Sequence, residues 1–203
     1  SQTTLSINIL ILLAVIPPYV GGLLNSLHSA KEQLKKQASF DGLTGLMNRP
    51  QVEQTIEAIL EQQHDGHFLL FCDLDHFKKV NDVAGHAAGD KLLADIGNII
   101  KGCVRSDDLT ARLGGDEFCV FIKRCPLDKA REIAENIRNS ISGYRLGWGR
   151  EYYKVGISIG AAPSSAVKDI GSLFRLADAA CYAAKNAGRN QVHVVDPHTD
   201  MLD

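Results

Sequence analysis

No two of the five cysteines, Cys72, Cys103, Cys119, Cys125 and Cys181, are spaced CxxC, and their number is odd. Most sit among apolar residues, so they read as small buried hydrophobes in a reducing compartment. The seven histidines form no HExxH or other paired-ligand spacing, which argues against a zinc site. No basic tract interleaves with aromatics and the formal net charge is -2, so a nucleic-acid polymer is not an expected partner. A mononucleotide stays open, because a few local cations suffice for one. Internal repeats and low-complexity runs are also missing. An apolar fraction of 45% and a charged fraction of 23% exclude disorder and collagen-like structure. At 203 residues the chain can hold one full domain and an appended segment, but not comfortably two.

What is present first is a long apolar run. From Leu5 to Leu24 there is no charge, and the length suffices to cross a hydrocarbon core of roughly 30 Å. Lys31, Lys35 and Lys36 follow it, which would put the C-terminal side in the cytoplasm, tethered at the inner membrane. A basic n-region is missing and the run is too long for a cleavable signal. The competing reading is a buried helix of a larger sensor, and Pro17-Pro18 would kink either. The chain starts at Ser1, as expected of a piece of a longer or processed protein. Three segments are expected: residues 1–27 as a transmembrane or hydrophobic helix, 28–40 as a linker helix, and 41–197 as the folded domain. Leu27 and Leu34, seven apart, would suit a short two-stranded coil in the linker.

After Phe40 the pattern is that of an α+β domain. Pro50 to Gln63 reads as a helix with Val52, Ile56 and Ile59-Leu60 on one face and Pro in the first turn. His67 to Asp73 is a short apolar run suited to a central strand. Gly89 to Cys103 is helical, with Leu92-Leu93, Ile96 and Ile99-Ile100 as its stripe. Thr110 to Leu113 and Phe118 to Ile122 are strands joined by Gly-Gly-Asp-Glu, a hairpin signal. A helix over Leu127 to Ile141, a strand over Tyr152 to Ala161, a helix over Ile170 to Ala187 and a strand over Gln191 to Val195 complete the domain. The order predicts a ferredoxin-like or palm-type, antiparallel-rich sheet flanked by helices on one face, preceded by the N-terminal hydrophobic helix.

Two features carry chemistry. Asp73-Leu74-Asp75 ends a buried strand, where a carboxylate is costly unless paired or bound to a cation. Asp73 and Asp75 are expected on opposite faces, so that only one meets the surface of the hairpin. In Gly114-Gly115-Asp116-Glu117, the glycines permit positive φ and close ligand approach. The adjacent carboxylates offer oxygens to a hard cation such as Mg²⁺. Paired beside the Asp73 strand, the hairpin would bracket an ion, as phosphoryl-transfer sites do. A solvated turn is the alternative, since GG and GD are common turn dipeptides.

Five blocks in order resolve that choice. Arg112-Leu113-Gly114-Gly115-Asp116-Glu117-Phe118 resembles the signature of the GGDEF family, the diguanylate cyclases. Asp41-Gly42-Leu43-Thr44-Gly45-Leu46-Met47-Asn48-Arg49 is similar to that family's D-x-L-T-x-L-x-N-R opening. Asp73 to Asp82 resembles D-x-D-x-F-K-x-x-N-D, and Gly85-His86 with Gly89-Asp90 resembles G-H-x-x-G-D. Tyr182 to Asn190 resembles the closing Y-x-A-K-x-x-G-R-N. The blocks span Asp41 to Val195, so the match does not rest on five letters.

The resemblance implies the residue roles. Asp73, Asp116, Glu117 and the Leu74 carbonyl would hold Mg²⁺, with Mn²⁺ a possible substitute. Glu117 would alternatively help deprotonate the attacking 3′-hydroxyl; the division between Asp116 and Glu117 stays open. Asn81 and Asp90 would bind the guanine edge, with His86 close by. Gly114 and Gly115 would let the nucleotide approach. Backbone N–H groups around His76 and Phe77, with Lys78, Lys185 and Arg189, would hold the triphosphate and offset its charge. Each has a plainer reading: Lys78 and Lys79 as solvated lysines, Lys185 and Arg189 as cations favoured at a helix C-terminus, His86 as a turn residue.

Arg105-Ser106-Asp107-Asp108 resembles the family's R-x-x-D inhibitory site, where Arg105 and Asp108 would bind the product, cyclic di-GMP; a polar turn is the alternative. The implied activity converts two GTP into cyclic di-GMP and two pyrophosphates across a homodimer, each subunit supplying half the site. A degenerate nucleotide sensor ranks second, since such domains lose the hairpin carboxylates or the residue at Asp73. A docking scaffold ranks third.

Overall fold

The computed structural model describes residues 39–62 and 66–196, with Val20 and Gly22 of a helical stretch before them. Apart from Val20 and Gly22, the apolar run and the 1–27 segment lie outside the described residues, as do most of the 28–40 linker and its leucine spacing. Among the described residues no helix is long and apolar enough to cross a membrane. Residues 1–39 and 40–203 form two separate units, and the sheet and the site belong to the second.

The centre of that unit is a six-stranded sheet. The strands are β1 (Met47–Asn48), β2 (Phe68–Asp75), β3 (Leu109–Gly114), β4 (Glu117–Ile122), β7 (Gly156–Pro163) and β8 (Val192–Val194), in the order β1-β3-β4-β2-β7-β8. The β3–β4, β4–β2 and β2–β7 pairs are antiparallel, while the outer pairs β1–β3 and β7–β8 are parallel. A separate two-stranded hairpin, β5 (Leu146–Trp148) with β6 (Glu151–Tyr153), stands apart from the sheet. The sequence reads Tyr152 to Ala161 as one strand; the chain breaks it at Lys154-Val155 and uses the halves in different sheets.

Helices cover both faces, which corrects the one-sided layering expected from the element order. Strand side chains alternate, so Phe68, Leu70, Cys72 and Leu74 of β2 enter one core and Leu69 and Phe71 the other. The first core is closed by α2 (Phe77–Ala84), α3 (His86–Gly102) and α4 (Leu127–Gly143) through Phe77, Leu92, Ile96 and Ile137. The second is closed by α1 (Arg49–Gln62) and α5 (Ile170–Asn186) through Val52, Ile56, Leu173, Phe174 and Ala177. Leu69, Leu70 and Cys72 are fully buried, as a strand apolar on both faces requires. Gly160 is where α5 comes closest to the sheet: a Cβ there would lie 2.1 Å from the Ala177 carbonyl oxygen.

The cysteines behave as small hydrophobes. Cys72, Cys119, Cys125 and Cys181 are buried, and burial pushes the Cys119 and Cys181 thiols up to about 12.

Candidate active site

The site assembles where β2 ends beside the β3–β4 turn. In the β2–β4 register Asp73 stands opposite Glu117, and Ser158 of β7 flanks Asp73 on its other side. The turn is tied down twice by backbone and side chain. The Leu74 N–H donates to the Asp116 carbonyl at 3.2 Å. Arg112 donates from Nε and Nη2 to the Gly115 carbonyl at 3.0 and 2.7 Å. Gly115 takes φ 52°, a left-handed value that a Cβ would penalise. The same guanidinium donates from Nη1 to both Asp41 oxygens at 3.2 and 3.1 Å. Asp41 in turn accepts from the Thr44 amide and hydroxyl at 2.9 and 2.7 Å. Burial alone would raise the Asp41 carboxyl, but Thr44 and Arg112 outweigh it and hold it below its ordinary value. The sequence pattern contains both Asp41 and Arg112 without revealing this clamp.

The carboxylates beside the turn crowd one another. Lys185 of α5 meets Asp73 at 2.7 Å. Burial nevertheless raises the Asp73 carboxyl, with Asp116 and Asp75 pushing the same way and Lys185 offsetting only part. Glu117 is likewise raised, by burial first and then by Asp73, Asp116 and Asp178, against Arg49. On Lys185 burial works downward, but the Asp73 partner prevails and the ammonium is held above its ordinary value. Unrelieved negative charge of this kind is the environment a hard cation neutralises. Among the described residues no three His, Cys, Asp or Glu side chains converge into a ready metal cage. An ion here would therefore need oxygens from phosphate as well, the manner in which Mg²⁺ is usually held.

Asp73 and Asp75 share a face. Two residues apart on a strand, they return to the same side, which corrects the expectation that they part. Asp75 is only 4% exposed. It accepts from the Ser158 hydroxyl at 2.8 Å and from the Asn190 N–H at 2.9 Å. Its task is thus to seat the Gly188-Arg189-Asn190 turn after α5, where Arg189 and Asn190 both take positive φ (65° and 48°).

The nucleotide-base candidates lie on α2 and α3, against the first core. His76 is left-handed (φ 61°, ψ 23°) and caps α2, so the chain turns sharply from strand to helix. The Phe77 side chain is buried in the core, leaving its N–H as the group available to a ligand. Asn81 packs over Gly89: a Cβ at Gly89 would fall 1.8 Å from Asn81 Oδ1. That fit brings Asn81 against the residue preceding Asp90. Lys78, His86 and Asp90 are exposed. Arg105 and Asp108 lie on the turn between α3 and β3. Asp108 is buried, accepting from the Arg105 N–H at 3.1 Å and the Lys123 N–H at 3.0 Å, while Arg105 is exposed.

The family model described as "Diguanylate cyclase, GGDEF domain" matches residues 38–191. The chain belongs to the GGDEF family. It is 41% identical over 172 residues to the probable diguanylate cyclase DgcE of Escherichia coli, covering 81% of this chain and 15% of that protein. It is 38% identical over 167 residues to the cyclic di-GMP phosphodiesterase PdeB of Shewanella oneidensis, covering 82% of this chain and 19% of that protein. Among solved structures, the coiled coil and GGDEF domain of DgcB from Caulobacter crescentus, in complex with c-di-GMP, superposes with a TM-score of 0.73 at 28% identity. The match covers 91% of this chain and 100% of that one. The chain spans less than half the length of curated relatives such as DgcE and PdeB. GGDEF domains thus occur in proteins named for making and for degrading the same nucleotide, and the site residues must discriminate.

Proposed function

We propose that this domain is a working diguanylate cyclase that condenses two GTP into cyclic di-GMP and two pyrophosphates. The observation that carries the reading is the Asp73–Glu117 pairing. Both carboxylates are present and stand opposite each other across β2 and β4, and Asp73 is paired with Lys185. A domain kept only as a sensor has no need of that crowded charge.

In the proposed step the 3′-oxygen of one GTP attacks the α-phosphorus of another. A new O–P bond forms, the bond from the α-phosphorus to the bridging oxygen breaks, and pyrophosphate leaves with the electron pair. The 3′-hydroxyl proton goes to a carboxylate, for which Glu117 is placed opposite Asp73 beside the turn, as the alternative to its place among the Mg²⁺ oxygens. Asn81 and Asp90 would read the guanine edge, and Lys185, Arg189 and the N–H groups after His76 would hold the phosphates. Mg²⁺, held by Asp73, Asp116, Glu117 and the Leu74 carbonyl, would neutralise charge on the transferring phosphate; Mn²⁺ suits the same oxygens.

One such site holds one nucleotide, so two subunits would face each other as a homodimer. Arg105, exposed on its turn, would recruit the product as an inhibitor alongside Asp108. The apolar segment before residue 28 would tether the domain to the inner membrane with the catalytic part in the cytoplasm.

The test is incubation of purified protein with GTP and Mg²⁺, followed by nucleotide analysis. Cyclic di-GMP and pyrophosphate in a ratio of about one to two is the expected result, as the stoichiometry dictates. Intact GTP bound without turnover would establish the sensor instead. Arg105→Ala should relieve inhibition by added product; unchanged inhibition counts against the regulatory turn.

A further inference from the structure

One side of the nucleotide site carries positive charge that nothing near it neutralises. A cavity of about 390 Å³ opens beside the end of β2, lined among others by His76, Arg145, Lys154, Arg189 and Asn190. Asp75 is the one carboxylate in its wall, and both its oxygens are taken by Ser158 and Asn190. Arg145 donates from Nη1 to the neutral carbonyls of Ser142 and Tyr144, each at 2.7 Å. Among the described residues neither Lys154 nor Arg189 forms an ion pair. Three cations lining one hollow repel one another, and an anion bound among them would add an attraction to each that offsets the repulsion.

The backbone is arranged to keep the charge there. Arg189 and Asn190 are consecutive non-glycine residues at positive φ, held by the Asp75 bond to the Asn190 N–H. Conformations of this kind persist where surroundings enforce them, and they cluster at ligand sites. Lys154 stands at the break between β6 and β7, and Arg145 follows α4, so separate elements deliver the two cations to the same wall.

We propose that Arg145 and Lys154 extend the phosphate surface of His76 and Arg189, binding the terminal phosphates of GTP and holding the pyrophosphate as it leaves. This rests on the GTP reading of the site. It adds two residues that lie outside every motif block, on either side of the β5–β6 hairpin. A polyanion of two or three phosphates fits the chemistry: Arg145 and Lys154 on one part of the wall, and Arg189 on the turn that Asp75 holds through the Asn190 N–H. Pyrophosphate departs with negative charge that these cations would offset, so the pair should act on substrate affinity and on release of the leaving group.

The test measures binding by calorimetry with Mg²⁺, using pyrophosphate, GMP and GTP as separate probes. Combined Lys154→Gln and Arg145→Gln should weaken pyrophosphate and GTP about tenfold, the scale of one charge-assisted hydrogen bond, and leave GMP unchanged. Unchanged pyrophosphate affinity overturns the proposal, as does an equal loss for GMP. If the double variant fails to fold, because Arg145 also ties the end of α4, exposed Lys154→Gln decides alone: it should weaken pyrophosphate several-fold, and no change overturns the proposal. Should the wild-type protein make no cyclic di-GMP while the variant still loses pyrophosphate, the cyclase reading falls and the phosphate site stands.

Discussion

Asp41 and Arg112, 71 positions apart in sequence, are joined through both carboxylate oxygens at 3.1 and 3.2 Å, and the same guanidinium holds the Gly115 carbonyl at the tip of the β3–β4 turn. The opening motif block is therefore a brace for the hairpin block. Both side chains are largely withdrawn from water, with 14% exposure for Arg112 and 23% for Asp41, so the pair is screened less than a surface ion pair.

Arg112→Ala removes the brace and leaves Asp41 and the Gly115 carbonyl short of their donor. A loss of about 2 kcal/mol in chemical denaturation is expected, the range for a charge-assisted hydrogen bond removed on one side. Turnover should fall by more than stability explains, because the turn carrying Asp116 and Glu117 loosens while the core is untouched. The brace also has a pH signature. Asp41 is depressed when folded, so its contribution is complete above the unfolded aspartate value of about 3.9 and is lost as pH falls through the lower folded value. Asp41→Asn should flatten that acid limb of the stability curve; an unchanged limb would mean that the brace contributes nothing to stability.

Glu117→Gln should abolish cyclic di-GMP formation while keeping the fold. It should also raise the melting temperature near neutral pH. Glu117 is raised by burial and by Asp73, Asp116 and Asp178, so ionising it opposes folding. That cost is absent below the unfolded value of about 4.3 and sets in as pH rises through the higher folded one. The stabilisation by glutamine should therefore fade as the solution is acidified toward pH 4. A variant that turns over normally would move the proton-accepting role elsewhere.

The strands and helices that follow a clean period were legible: β2, the β3–β4 hairpin, and the helices with Leu92, Ile96 and Ile100 or with Ile133 and Ile137 on one face. What escaped was short or set by distant partners. The α2 helix is eight residues long and begins at a left-handed His76, with no capping residue to announce it. The β5–β6 hairpin escaped because its strands are three residues each and carry Gly147 and Glu151, and because the break at Lys154-Val155 falls inside a run read as one strand. At the site, the identities of Asp73, Glu117, Lys185 and Arg189 came through, whereas their geometry did not. Lys185 reaches Asp73 only because α5 packs across β2 and β7, a consequence of the close approach at Gly160. Asp75, expected on the face away from Asp73, lies on the same face, and its buried bonds to Ser158 and Asn190 join elements that are far apart in sequence.

Gly89→Ala tests the base-binding half of the site without touching a polar group. Alanine suits a helix better than glycine by about 1 kcal/mol, so propensity alone predicts stabilisation of α3. The added Cβ would lie 1.8 Å from Asn81 Oδ1 and 3.2 Å from the Phe77 ring, and the amide must swing away, since the ring is core. Displaced, Asn81 no longer presents its amide beside Asp90. The expected result is a KM for GTP raised about tenfold or more, the scale of a lost hydrogen bond to a buried ligand edge, with far-ultraviolet circular dichroism unchanged. Guanine preference should weaken as well, so that the ratio of GTP to ATP binding falls in the variant. Equal KM and equal preference in Gly89→Ala would mean that Asn81 has no part in holding the base.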